Sequence, residues 1–88
     1  DDSAVLTLAA DLDIAKDVDI SLLRQAIDRV LYALDEKYRE VLVLRFFEEK
    51  SYDEIADIIK RPPGTVATYL NNAKAEFRKE IKYQGLKL

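Results

Sequence analysis

The chain has 88 residues, enough for one domain whose single core buries about 60 to 65% of the surface the unfolded chain exposes, and too few for a second. It contains neither cysteine nor histidine, which excludes disulfides, thiolate nucleophiles, His-based acid–base catalysis and the usual zinc sites. The formal charge of −3 argues on its face against a nucleic-acid partner, yet it is unevenly spread: residues 1–20 carry −5 and residues 60–88 carry +5.

No apolar run approaches the roughly 20 residues that span a bilayer, and no basic-then-apolar signal segment opens the chain. A soluble protein of the reducing cytoplasm, without membrane insertion, is expected. Methionine is missing even at position 1, which points to a segment excised from a longer protein.

Residues 1–19 scatter Val5, Leu6, Leu8, Leu12, Ile14 and Val18 among Asp1, Asp2, Asp11, Asp13, Asp17 and Asp19. With no sustained helical stripe, the segment reads as an acidic linker or extension. Its DLDIAKDVD stretch resembles a calcium loop, but Ala15 stands where a third ligand is needed and Lys16 where the turn glycine belongs. A solvated linker is therefore expected, with no metal and no cofactor.

The stripe Leu22, Leu23, Ala26, Ile27, Val30, Leu31, Leu34 predicts an amphipathic helix over Ser21–Leu34, capped by Asp19 or Ser21. Asp35 is expected to end it and to cap the next helix, Glu36 to about Glu48. That helix is apolar on nearly all sides through Val41, Leu42, Val43, Leu44, Phe46 and Phe47, with Arg39 and Arg45 as exceptions, so it is expected to be the most buried element. Glu49 and Lys50 form the following loop.

Ser51–Lys60 opens with a capping box, in which Ser51 and Glu54 each satisfy the other's backbone N–H. Tyr52, Ile55, Ala56, Ile58 and Ile59 then follow at helical spacing, with Ala56 where a close helix crossing is needed. Pro62 and Pro63 stop this helix and preset φ for the next, which opens near Pro63. Val66, Leu70, Ala73, Phe77 and Ile81 make its buried stripe. Thr65, Ala67, Thr68, Asn71, Asn72, Lys74, Ala75, Arg78, Lys79 and Lys82 face outward. Two short helices around a tight turn form a helix-turn-helix and point to DNA, although an ordinary helical hairpin fits the same pattern. Positive charge gathers on and beside the second helix, where phosphates would lie. Tyr83–Leu88 is a tail broken by Gly85.

The expected fold is all-α, with four helices, no strands and a C-terminal helix-turn-helix; the domain covers residues 20–83 and the tail residues 84–88. Gly64 and Gly85 cannot make a nucleotide-binding loop, and Ser51 is a cap, not a nucleophile. Nothing supports an enzyme.

The segment LDEKYREVLVLRFFEEKSYDEIADIIKRPPGTVATYLNNAKAEFRKEI, Leu34–Ile81, resembles region 4, the C-terminal domain of bacterial RNA polymerase sigma factors, and in particular the extracytoplasmic-function (ECF) group. That family's leucine, often proline, glutamate start and YREVLVLRF-like helix appear as Leu34–Phe46, with Asp35 in place of proline. Its capping segment appears as Ser51–Ile59, and its proline, variable residue, GTV sequence as Pro62–Val66. The resemblance spans about residues 22–82.

It implies a four-helix domain that binds the promoter −35 element in the major groove while other faces contact the β-subunit flap of core RNA polymerase. Anti-sigma factors often hide the same surfaces. The base-reading positions after the GTV segment correspond to Ala67, Thr68, Asn71 and Asn72. Lys60, Arg61, Thr65, Lys74, Arg78 and Lys79 complete the expected DNA-binding set.

Two departures from the family stand out. Ala67, Tyr69 and Asn72 occupy positions where many members carry Arg or Lys, although Asn can pair with adenine and Thr68 can hydrogen-bond or pack on a thymine methyl. Lys60 and Arg61 stand where glycine and an apolar residue are common, so Lys60 is expected at positive φ at a cost of about 1 kcal/mol relative to glycine. The rival readings are a LuxR-type or other helix-turn-helix regulator, and a domain that binds polymerase or an anti-sigma factor without reading DNA.

Overall fold

The structure, a computed structural model that describes residues 2–14 and 17–86, is built on its last helix. In chain order the elements are α1 (Asp2–Leu12), α2 (Ile20–Ala33), α3 (Glu36–Leu42) running into a π-helical turn (Val43–Phe47), α4 (Tyr52–Ile59) and α5 (Pro63–Tyr83). Among the described residues there are five helices and no strand. At 21 residues, α5 is about 31 Å long, nearly the full 36 Å of the longest molecular dimension. Helices α2, α3 and α4 all pack on it.

The stripe expected on α5 is the one that is buried: Val66, Leu70, Ala73, Phe77 and Ile81 are all in the core. Its spacing of four, three, four and four keeps these side chains on one face through about four turns. They meet Leu23, Ile27, Val30 and Leu31 of α2, Val41 and Leu42 of α3, and Ile55 and Ala56 of α4 in one continuous cluster.

The acidic N-terminal segment differs from the expectation. Instead of a linker without a stripe, α1 buries Val5, Leu8, Ala9 and Leu12 and packs on α2 and the π-helical turn. This makes five helices where four are expected. The stripe spans only eight residues and relies on an alanine, while Leu6, off the stripe, is 54% exposed and blurs the pattern. A helix this short draws its stability from tertiary docking. It ends with Asp13 at φ 54 and Ile14 N–H bonded to Ala9 O, a left-handed stop that Asp tolerates better than most residues. Asp1, Ala15 and Lys16, with the calcium-loop comparison that turned on the last two, and Lys87 and Leu88 of the tail lie outside the described residues.

Asp19 caps α2 as expected, accepting from Ser21 and Leu22 N–H. The Ser21 hydroxyl, followed by these two amides, holds the Asp19 carboxyl below its ordinary pKa. Asp35 occupies the N-cap of α3 without using its side chain; its carbonyl accepts from Tyr38 and Arg39 N–H at 3.0 Å. The end of α2 is instead satisfied by Arg39, whose Nη1 donates to Leu31, Tyr32 and Leu34 carbonyls at 3.4, 3.0 and 3.3 Å. A cation at a helix C-terminus meets both the free carbonyls and the helix dipole, which explains one arginine in the apolar third helix.

That helix does not continue in α geometry to Glu48. From Val43 the ladder widens into a π turn, which buries Leu44 and leaves Phe46 and Phe47 half-buried against the core. The second arginine, Arg45, closes the turn by donating to Lys50 O at 3.0 Å and stacking over the Tyr52 ring, 5.1 Å from its centroid. The tail is partly tied down: Gly85 at φ 69 ends α5, and Leu86 N–H reaches back to Ile81 O as its side chain packs on the core.

Phe77 is fully buried where α5 meets the other helices. Phe77→Ala is expected to destabilise the chain by about 3 to 5 kcal/mol; chemical denaturation measures it, and a loss below about 1 kcal/mol would contradict the packing described.

Candidate nucleic-acid interface

The two helices of the motif are set by local chemistry on both sides of their turn. Ser51 Oγ accepts from Glu54 N–H at 3.1 Å while Glu54 Oε1 accepts from Ser51 N–H at 2.8 Å, so the capping box forms as the sequence predicts. The backbone bond from Ser51, with its hydroxyl second, holds the Glu54 carboxyl below its ordinary value. At the other end Lys60 adopts φ 60, ψ 46, and both Lys60 and Arg61 N–H donate to Ala56 O. Pro62 then takes the extended N-cap conformation and Pro63 the first helical position of α5. Ala56 is buried where α4 packs on α5. A larger side chain there would separate the two helices.

Opposite the buried stripe, α5 presents Thr68, Asn71, Asn72, Arg78 and Lys79 to solvent, while Thr65, Ala67 and Lys74 are half-buried at its flanks. By helical period Ala67, Asn71, Lys74 and Arg78 form one row on the α1 side, and Thr65, Thr68, Asn72 and Lys79 form the next. The two rows run for about 21 Å along the helix. Lys60 and Arg61 are exposed in the turn. Arg61 lines a shallow groove with Lys37, Glu40 and Tyr69, on the side of α3.

Several of these groups are already engaged. The Thr68 hydroxyl donates to Gly64 O at 3.2 Å, which leaves its methyl and its lone pairs to face a ligand. Lys79 Nζ lies 3.3 Å from Glu76 on the same helix and is 78% exposed, an open pair of little energetic weight. Lys74 Nζ lies 2.6 Å from Asp11 of α1, an interaction that sequence periodicity does not anticipate because the partners belong to helices far apart in the chain. Gly64 lies in the first turn of α5, and a Cβ there would meet nothing within 4 Å. The fold itself does not need that glycine. Among the described residues no cluster of acidic side chains is arranged to hold a metal ion, and no helix is long and apolar enough to cross a membrane.

Residues 24–77 match the protein family described as Sigma-70, region 4. The chain is 34% identical over 76 residues to the ECF RNA polymerase sigma factor SigW of Bacillus subtilis (strain 168), a match covering 85% of this chain and 41% of that protein. It is 39% identical over 51 residues to the RNA polymerase sigma factor YlaC of the same organism, covering 58% of this chain and 30% of the relative. The matched segments thus cover less than half the length of either relative. No solved structure matches it.

The turn supplies a test of its own. Lys60→Gly is expected to stabilise the chain by about 0.5 to 1 kcal/mol by relieving the left-handed backbone. A shift of the denaturation midpoint at constant slope reads it; a decrease in stability would contradict the turn geometry.

Proposed function

The chain belongs to the sigma-70 region 4 family, and from that premise we propose that it is the −35-reading part of an ECF-type sigma factor, which directs core RNA polymerase to promoters. The family is not enzymatic, and the role is recognition. In this reading α5 enters the major groove, Asn71, Asn72 and Thr68 face base edges, Ala67 offers an apolar contact, and Lys60, Arg61, Thr65, Lys74, Arg78 and Lys79 lie toward phosphates. The observation that carries it is the two-row polar face of α5, held outward by five buried side chains and led in by the Pro62–Pro63 turn. The glycine at position 64, which no internal contact requires, suits close approach of a phosphate backbone to the start of α5.

The polymerase contact belongs to other faces. Leu22 and Tyr32 of α2 are 59% and 85% exposed, and in this reading they supply apolar surface for the β-subunit flap or for an anti-sigma factor that competes with it. The place of action is the cytoplasm, with the polymerase. A second reading, a region 4 fold that binds protein partners without reading DNA, is favoured by one observation. Between Arg61 and Arg78 the only cation facing the α5 surface is Lys74, and Asp11 holds it.

Two measurements separate these readings. Asn71→Ala is expected to weaken binding to a preferred −35 duplex, selected from a randomised pool, by about 1 to 3 kcal/mol while changing binding to scrambled duplex little. Unchanged discrimination in Asn71→Ala, Asn72→Ala and the double variant would favour the protein-binding reading. Arg78→Ala or Lys79→Ala is expected to weaken all sequences alike and to lower the slope of log affinity against log salt by about one. A slope equal to the parent's would remove that residue from the interface.

A further inference from the structure

Helix α1 reaches α5 through an ion pair, Asp11 Oδ2 to Lys74 Nζ at 2.6 Å. The two side chains are 40% and 22% exposed, so solvent screens this pair less than an open surface pair. Lys74 Nζ also lies 6.0 Å from the centre of the Phe46 ring. Its ammonium is therefore drawn into the groove of about 410 Å³ that α1 forms with the π-helical turn, the start of α4 and the flank of α5.

The docking of α1 keeps Asp11 in place. Val5, Leu8, Ala9 and Leu12 anchor the helix in the core, and Asp2 at its other end pairs with Arg24 of α2 at 2.6 Å. Asp11 immediately precedes buried Leu12, which sets it at the rim of the docked face and beside α5. The Lys79–Glu76 pair is different in kind, since it lies within one helix and its lysine is largely in solvent.

We propose that Asp11 is a positioning residue for DNA binding: by holding Lys74 against α1 it withdraws one cation from the phosphate-facing row of α5 and lowers affinity for DNA of any sequence. The inference rests on the DNA-binding reading above. A lysine that neutralises a phosphate releases a condensed counterion, and each such contact steepens the dependence of log affinity on log salt by about 0.9. With the pair closed, the Lys74 charge is already compensated and contributes no such release. With the pair broken, its flexible four-carbon stem lets the ammonium swing out beside Asn71 and Arg78, its neighbours in the same row.

The test is a salt titration of the 88-residue chain against a short random-sequence duplex, for the parent, Asp11→Asn, Lys74→Gln, the double variant and Asp11→Glu. Asp11→Asn is expected to bind more tightly at low salt and to steepen the salt dependence by about 0.9. In the Lys74→Gln background the same substitution is expected to add no steepening, and Asp11→Glu, which preserves the pair, is expected to keep the parent's slope. Equal steepening with and without Lys74 would show Asp11 acting only as a distant negative charge, and it overturns the proposal, as does no steepening at all. A parent chain with no salt-dependent binding to the duplex would overturn the DNA-binding reading itself, and this proposal with it.

Discussion

Burial of one face of α5 is the constraint on which everything else depends. Val66, Leu70, Ala73, Phe77 and Ile81 are each in the core, and full burial of a Val, Leu, Ile or Phe side chain contributes about 1.5 to 3 kcal/mol. Rotating α5 by one residue's angle would expose part of this stripe and bury Thr65, Asn72 or Lys74, none of which has hydrogen-bond partners waiting inside. The rotational setting of the helix is therefore steep in energy. Because it is steep, the identity of the outward rows is decided by the inward ones.

The lengths and angles of the elements are decided more locally. Asp19, the Ser51–Glu54 box, the left-handed Lys60, the proline pair and Gly85 each act within one turn of chain, and a side-chain cap of this kind contributes about 0.5 to 2 kcal/mol. Such terms are small beside the core, but they set where α4 stops and α5 starts. Arg39 and Arg45 perform the same task from a distance of a few residues, by donating to carbonyls at the end of α2 and beyond the π turn. Arg39 thus ties α3 to the end of α2 and Arg45 ties the π turn to the loop that follows it, while Val41, Leu42 and Leu44 fill the interior.

The electrostatics have a tertiary character that the net charge conceals. An acidic helix and a basic one are brought together by hydrophobic docking, and the pairs at the two ends of α1 are a consequence of that docking. The −3 total says little about the surface of α5, since a phosphate backbone would respond to charges within about a Debye length, near 8 Å at physiological salt. Within that distance the exposed cations of α5 and its turn count, and so does whether Lys74 is already paired.

Four of the five helices, the helix-turn-helix and most of the outward set on α5 were legible in the residues, because caps, proline stops and apolar periods are local signals repeated over several turns; Thr65, Ala67 and Lys74, expected outward, are half-buried at the flanks. The resemblance carried by Leu34–Ile81 supplied the family, which the match over residues 24–77 bears out. Three features needed the tertiary structure. The stripe of α1 is too short to specify a helix alone and becomes one only against α2 and the π-helical turn. Asp35 has cap geometry from its backbone, yet whether its carboxylate bonds depends on neighbours the local sequence does not specify. The Asp11–Lys74 pair joins helices at opposite ends of the chain. The sequence by itself determined the buried stripe of α5 and most of that of α2, since 3.6-residue periodicity acts along the chain, although Leu22, expected in the α2 stripe, is 59% exposed in the first turn of that helix. Only the tertiary structure decided which helix faces which, and so which charges meet, because those contacts come from packing across the core and no spacing along the chain encodes them.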